Sequence, residues 1–261
     1  MLGWSINLFR VFGIRLAVHV SFLLLLAWFG WLGWSSGRVA GMVVSVGLVI
    51  AFFTCVVLHE LGHALTARRY GVQTSRILLM PIGGMAEMDR IPRQPRAELL
   101  ITAAGPAVNL AIALLLLAVV DLPAGWPWEV EVEDSFAGIG QVLLVWNLMM
   151  FGFNLLPVFP MDGGRIYRAL LASRHPYVEA TRRAVRLGQI LAMALAAAAL
   201  LSGRPLLFVL FVFIYLAAGA EYRHVQLAAQ EAAYYAQLAR RAAAVDPHRP
   251  DEPPLILHGP N

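Results

Sequence analysis

The chain has 261 residues, 59% of them hydrophobic and 14% charged, with a mean hydropathy of +0.68. That balance excludes an ordinary soluble domain, which has no use for so many uninterrupted apolar runs, and marks a membrane protein. The net charge of +4 is no nucleic-acid footprint, because the basic residues, all 20 of them Arg, sit mainly in the loops between those runs.

In chain order, the first apolar run covers 16–34. It is too long for a cleaved signal and ends in Trp31 and Trp34 rather than a small-residue cleavage site, so a spanning helix with an aromatic anchor is expected. A short turn, Ser35 to Arg38, leads into a second run over 39–65. A polar loop over 66–98 carries six Arg, and a third run spans 99–120. The stretch 121–138 holds five acids and no base. A fourth run starts near Phe136 and loses helical character at Pro157 and Pro160. Residues 158–186 hold six more Arg, and two shorter runs follow over 187–201 and 206–220, joined by Ser202-Gly203-Arg204-Pro205.

The two Arg-rich loops fall on one side of a membrane only if there are six spans. The expected fold is therefore an all-α polytopic membrane protein of about six transmembrane helices. Both termini and the Arg-rich loops face the cytoplasm. Residues 1–220 form the membrane domain, 221–245 an Ala-rich cytoplasmic helix, and 246–261, with five prolines, a disordered tail. Between helices 2 and 3, residues 72–88 read as short strands around a Gly turn. They predict a small membrane-associated β element with an edge that could pair with a bound peptide backbone, or a loop that merely covers the site; proline substitutions along 77–82 test the pairing.

The second run contains His59-Glu60-Leu61-Gly62-His63. On a helix, His59 and His63 lie one turn apart on one face and can reach one metal ion, with Glu60 placed for proton transfer rather than ligation. Three ionisable groups in an otherwise uncharged run are costly in hydrocarbon and point to function. The motif sits near the cytoplasmic end of its helix, roughly 10 Å below the surface at 1.5 Å per residue. A catalytic zinc takes three protein ligands and leaves a position open. Glu87, Glu98, Asp162 and the other histidines are candidates for the third. His19 reads as a hydrogen-bonded core residue, and His248 and His258 belong to the Pro-rich tail. The single Cys55 excludes a disulfide, and it lies too far along the helix from His63 to share its ion. Asp162 stands out. It follows a helix broken by Pro157 and Pro160, and Gly163 and Gly164 allow a sharp turn there. Capping of the next helix is the alternative role for it.

His-Glu-Leu-Gly-His in an early span, with Asn154-Leu-Leu-Pro-Val-Phe-Pro-Met-Asp-Gly-Gly-Arg165 later, resembles the site-2 protease family of intramembrane zinc metalloproteases. Pro81-Ile-Gly-Gly-Met85 and Ala104-Gly-Pro-Ala-Val-Asn109 add to the resemblance, which covers roughly residues 10–220. It implies one zinc per chain, held by His59, His63 and Asp162. It implies Glu60 as general base and acid, and Asn154 as a donor to the oxyanion. Asn109 and Asn147 read as polar positions within the bundle. The implied substrate is a membrane-anchored protein cut in or near its transmembrane segment. The lipid bilayer is the other partner, and a regulatory membrane protein or a second copy is left open. Neither polar loop has room for a PDZ domain and no CBS pair follows the last run, so regulation by such domains is not expected. Two other readings share the ligands: a metal-ion transporter, which leaves Glu60 and Asn154 without a task, and an inactive relative that binds transmembrane helices.

Overall fold

The structure, a computed structural model, describes residues 4–89, 92–120 and 136–245. It opens with a hairpin, β1 (Ser5–Val11) and β2 (Ile14–His19), closed by Phe12 and Gly13. Both turn residues have positive φ, 52° and 86°, the two-residue geometry that matches strand twist. His19 ends β2 and caps the next helix, its Nδ1 accepting from the Ser21 N–H at 3.2 Å.

The helical element α1 (Val20–Arg68) is broken at Gly37 and at Arg38, whose φ is +52°. The chain folds back there, giving two arms, 20–36 and 39–68. Gly33 and Gly41 face each other so closely that a Cβ on either would overlap the other's carbonyl oxygen. Further along, Phe22 and Phe53 meet edge-on at 4.6 Å. Small residues let two apolar helices touch where no hydrophobic force separates them from lipid.

After α1 come β3 (Thr74–Met80) and β4 (Gly83–Met88), the expected β element. It belongs to a larger sheet. The order is β1-β2-β3-β4, with β2 and β3 parallel in the register Ala17↔Leu78 and the other pairs antiparallel. Two expectations are thereby corrected. The fold is mostly helical rather than all-α, and 16–19 belong to β2 rather than to the first helix. A short apolar stretch such as Leu16-Ala-Val-His19 suits a buried strand as well as a helix, and periodicity cannot separate them. The sheet packs on the second arm of α1 through Leu16, Val18, Ile77 and Leu79 against Phe53, Val56 and Leu61.

Helix α2 (Pro95–Leu117) starts with Pro at its first turn, where the missing N–H costs nothing. Helix α3 (Phe136–Asn154) is followed by an irregular stretch with a cis Phe159–Pro160 bond, then α4 (Asp162–Ala172). Helices α5 (Tyr177–Leu201) and α6 (Pro205–Val245) pair closely, α5 burying Ala180, Ala184, Gly188, Ala192 and Ala196. From the sequence a span ends at 220 and a separate helix begins at 221; in the structure α6 runs through both without a break.

Val20–Arg68, Pro95–Leu117, Tyr177–Leu201 and Pro205–Arg241 are long and apolar enough to cross a membrane, and Gly138–Asn154 is a shorter apolar helix. Each of the six apolar runs therefore has a helical counterpart, since α1 supplies two arms. The acid-rich stretch over 121–135 and the tail over 246–261 lie outside the described residues.

Helix α4, which carries Asp162, is pinned by charge. Arg168, only 5% exposed, donates to Glu98 of α2 at 2.8 Å and to Glu221 of α6 at 2.6 Å. Its guanidinium also lies 5.1 Å from the Phe159 ring centroid and 5.0 Å from that of Tyr177. Burial works against the Arg168 charge, but Glu98 and the other neighbours outweigh it and raise its pKa further. Removing one partner of a buried pair strands the other. Arg168→Ala is expected to destabilise the fold by about 3–5 kcal/mol, seen as a lower Tm in detergent.

Candidate active site

Helix geometry brings His59 and His63 onto one face of α1, their ring centroids 4.7 Å apart. Their Nε2 atoms are 3.1 Å from each other, and each lies 3.3 Å from Oδ2 of Asp162. All three side chains are withdrawn from solvent. The hairpin-like return of the chain from α3 to α4 makes this possible, setting Asp162 in the first turn of α4 against the imidazoles.

The protons on the rings follow from the hydrogen bonds around them. Asn147 donates its amide to the Leu143 carbonyl at 2.8 Å, which turns its own Oδ1 towards Asn109. Asn109 therefore donates Nδ2–H to that oxygen at 2.9 Å and presents Oδ1 to His59 Nδ1 at 2.6 Å. His59 must then be the donor, with its proton on Nδ1. His63 donates Nδ1–H to the Ile101 carbonyl at 2.8 Å. In the neutral rings this leaves both Nε2 atoms bare, and they converge on a buried oxygen of Asp162. Three lone pairs facing one another repel unless a cation lies among them. Two ligands bound 2.0–2.1 Å from a tetrahedral zinc sit roughly 3.3 Å apart, the spacing seen here. The donor set fits zinc.

The other candidates for the third ligand are engaged elsewhere. Glu87 pairs with Arg76 on the sheet, and the hydrogen bond from Arg76 holds its carboxyl below the usual carboxylate range. Glu98 is taken by Arg168, and His19 by Ser21. Cys55 is buried as a packed thiol, accepting from Asn147 at 3.4 Å.

The triad forms one wall of a cavity of about 380 Å³ that Glu60, Asn154 and Arg165 also line. Strand β4 also lines it through Gly84, Met85, Ala86 and Met88. A Cβ on Gly84 would lie 2.8 Å from Glu60 Cγ, so the strand backbone rests on the Glu60 side chain. Since β3 lies inside the sheet, the edge beside the cavity belongs to β4, 83–88.

Two parts of the site escaped the sequence. Asn109 is the partner that orients His59, a role visible only once α2 is seen to cross α1. Gly105 is the point of closest approach, where any Cβ would overlap the His63 ring and come within 2.8 Å of His59 Cε1. Both lie in the Ala104–Asn109 segment, whose Gly and Asn one turn apart were the available signal. Partners of this kind hold a metal-binding His in register, and their loss weakens metal affinity by roughly 10–100-fold. Asn109→Leu is expected to weaken zinc binding to that extent, measured by competition with a chromophoric chelator.

The model for peptidase family M50 matches residues 47–132 and 131–195. A zinc metalloprotease of Methanocaldococcus jannaschii is 38% identical over 226 residues, covering 87% of this chain and 63% of that protein. The stage IV sporulation protein FB of Bacillus subtilis is 27% identical over 179 residues, covering 67% of this chain and 58% of its own. The chain thus spans less than two thirds of the length of either relative. Among solved structures, the site-2 protease from Methanocaldococcus jannaschii superposes with a TM-score of 0.57 at 38% identity, covering 84% of this chain and 95% of that one.

Proposed function

The chain belongs to peptidase family M50, the site-2 proteases, and on that premise we propose that it hydrolyses peptide bonds in or near the transmembrane segments of membrane-anchored proteins. The observation that carries this reading is the meeting of two imidazole nitrogens and a carboxylate oxygen beside Glu60, in a cavity that Asn154 and strand β4 also line.

His59, His63 and Asp162 would hold the zinc. When bound, zinc supplies a Lewis acid that polarises a carbonyl and makes water acidic enough to react at neutral pH. Glu60 takes the proton of the attacking water and returns it to the departing amide nitrogen. The Asn154 amide donates to the carbonyl oxygen as negative charge gathers there. Asn109 and the Ile101 carbonyl keep the imidazoles aimed while this happens. The chain sits in the cell membrane with six crossings, both termini and the mouth of the cavity cytoplasmic, a topology supported by the Arg-rich loops.

A helical substrate hides its carbonyls, so it must be drawn out before it is cut. The free edge of β4 gives the unwound chain a strand to pair with. Successive N–H groups along a strand point to opposite edges. Of Met85→Pro and Ala86→Pro, one therefore removes a bond to β3 and the other a bond offered to substrate. The edge-facing variant is expected to fold and bind zinc yet lose most cleavage. Full cleavage by both variants would rule out strand pairing.

The function itself is tested with the full chain in lipid vesicles and a single-span reporter protein. Cleavage should stop when zinc is chelated and return on adding zinc back. Cleavage indifferent to chelation, or no cleavage of any membrane-anchored reporter, would refute it.

A further inference from the structure

Arg165 stands one turn beyond Asp162 on α4 and lines the same cavity. Its Nε is buried and has no hydrogen-bond partner, and no carboxylate among the described residues forms an ion pair with it. Arg168, one turn further on, is the opposite case, because it takes both Glu98 and Glu221. Arg165 is close enough for its charge to be felt by Glu60 and Glu98, but it bonds to neither. Arg165 as a whole is half-buried, but a buried N–H donor left without a partner is costly unless an acceptor arrives with the ligand.

Resting on the reading above, we propose that Arg165 is a substrate-binding residue: it grips a main-chain oxygen of the bound peptide that β4 leaves unpaired. Strand β4, Asp162 and Arg165 all line this one cavity. A peptide paired with β4 along one edge turns its remaining carbonyls away from it, where the planar fork of an arginine suits them. Once the bond is cut, the new C-terminal carboxylate is a stronger acceptor for the same group. Arg165 thus fixes the register of the chain across the zinc site without taking part in proton transfer.

The test uses the full chain in detergent with a membrane-anchored substrate, comparing wild type, Arg165→Gln and Arg165→Lys. Arg165→Gln should raise KM roughly tenfold to a hundredfold, the contribution of one charge-assisted hydrogen bond, with zinc content unchanged. Arg165→Lys keeps the charge but loses the fork, and should fall between the two. A second measurement needs no turnover. In a Glu60→Gln background, product peptides ending in a free carboxylate should bind more tightly than their C-terminal amides, and Arg165→Gln should shrink that preference. An unchanged KM and an unchanged carboxylate preference, with zinc in place, would overturn the proposal. A drop in Tm as the sole effect would do the same. Failure of the wild type to cut any substrate would count against the protease reading instead, while the peptide comparison would still decide the role of Arg165.

Discussion

Glu60→Gln is expected to lower kcat by roughly 10²–10⁴-fold, the usual contribution of a general acid–base group, while the protein keeps its zinc. The amide has the shape of the carboxylate but cannot accept a proton, so both proton transfers lose their carrier. Metal binding should survive, because the converging donor atoms belong to His59, His63 and Asp162 and not to Glu60. Gly84 packs against the Glu60 side chain, and a glutamine fills the same space, so the β4 wall stays where it is. Kinetics on a single-span reporter, with zinc counted per chain, check both halves of the expectation. The same variant separates the protease from a metal transporter, which would carry metal with either side chain at this position and cut nothing in either form. Wild-type turnover in the variant would mean that the proton carrier lies elsewhere in the cavity.

Gly105→Ala is expected to empty the metal site although it touches no ligand by chemistry. Its new methyl would fall on the His63 ring and within 2.8 Å of His59 Cε1. At the neighbouring level a Cβ on Gly62 would lie 2.8 Å from the Ala104 carbonyl oxygen and 2.8 Å from Val108 Cγ2, so α1 and α2 are closely packed there and stepping apart would give up that packing. The rings must therefore turn, breaking the bonds to Asn109 and Ile101 that keep Nε2 aimed at Asp162. Zinc affinity should fall at least about 100-fold, the upper end for loss of orienting partners, and cleavage should fall with it. Circular dichroism should show unchanged helix content, since Ala favours a helix over Gly. Full zinc occupancy in this variant would show that the two rings do not stand where the Gly105 contact puts them.

What could be read from the sequence was chemistry with strict residue requirements. His59 and His63 four apart, and Asp162 behind two prolines, are spacings that packing alone does not demand, and the fold brings the three side chains together. The apolar runs were legible for the same kind of reason, because a bilayer requires length and hydrophobicity that no soluble helix needs. The β3–β4 pair was legible from its Gly turn. The N-terminal hairpin was not, because Leu16 to His19 run straight into α1 and a buried strand is apolar on both faces. Nor was the pairing of Glu98 with Arg168, 70 residues apart, since which acid meets which base depends on how α2 and α4 cross. The choice of β4 over β3 as the edge beside the cavity required the parallel β2–β3 pairing, which no local pattern announces.

Two imidazoles and one remote carboxylate are expected to share a single zinc. Zinc counted per chain in the full protein purified in detergent, for the wild type beside Asp162→Asn, tests it most directly. One ion per wild-type chain, lost or bound far more weakly in the variant, is the predicted result. Equal zinc in both proteins, or an active wild type without zinc, would contradict it.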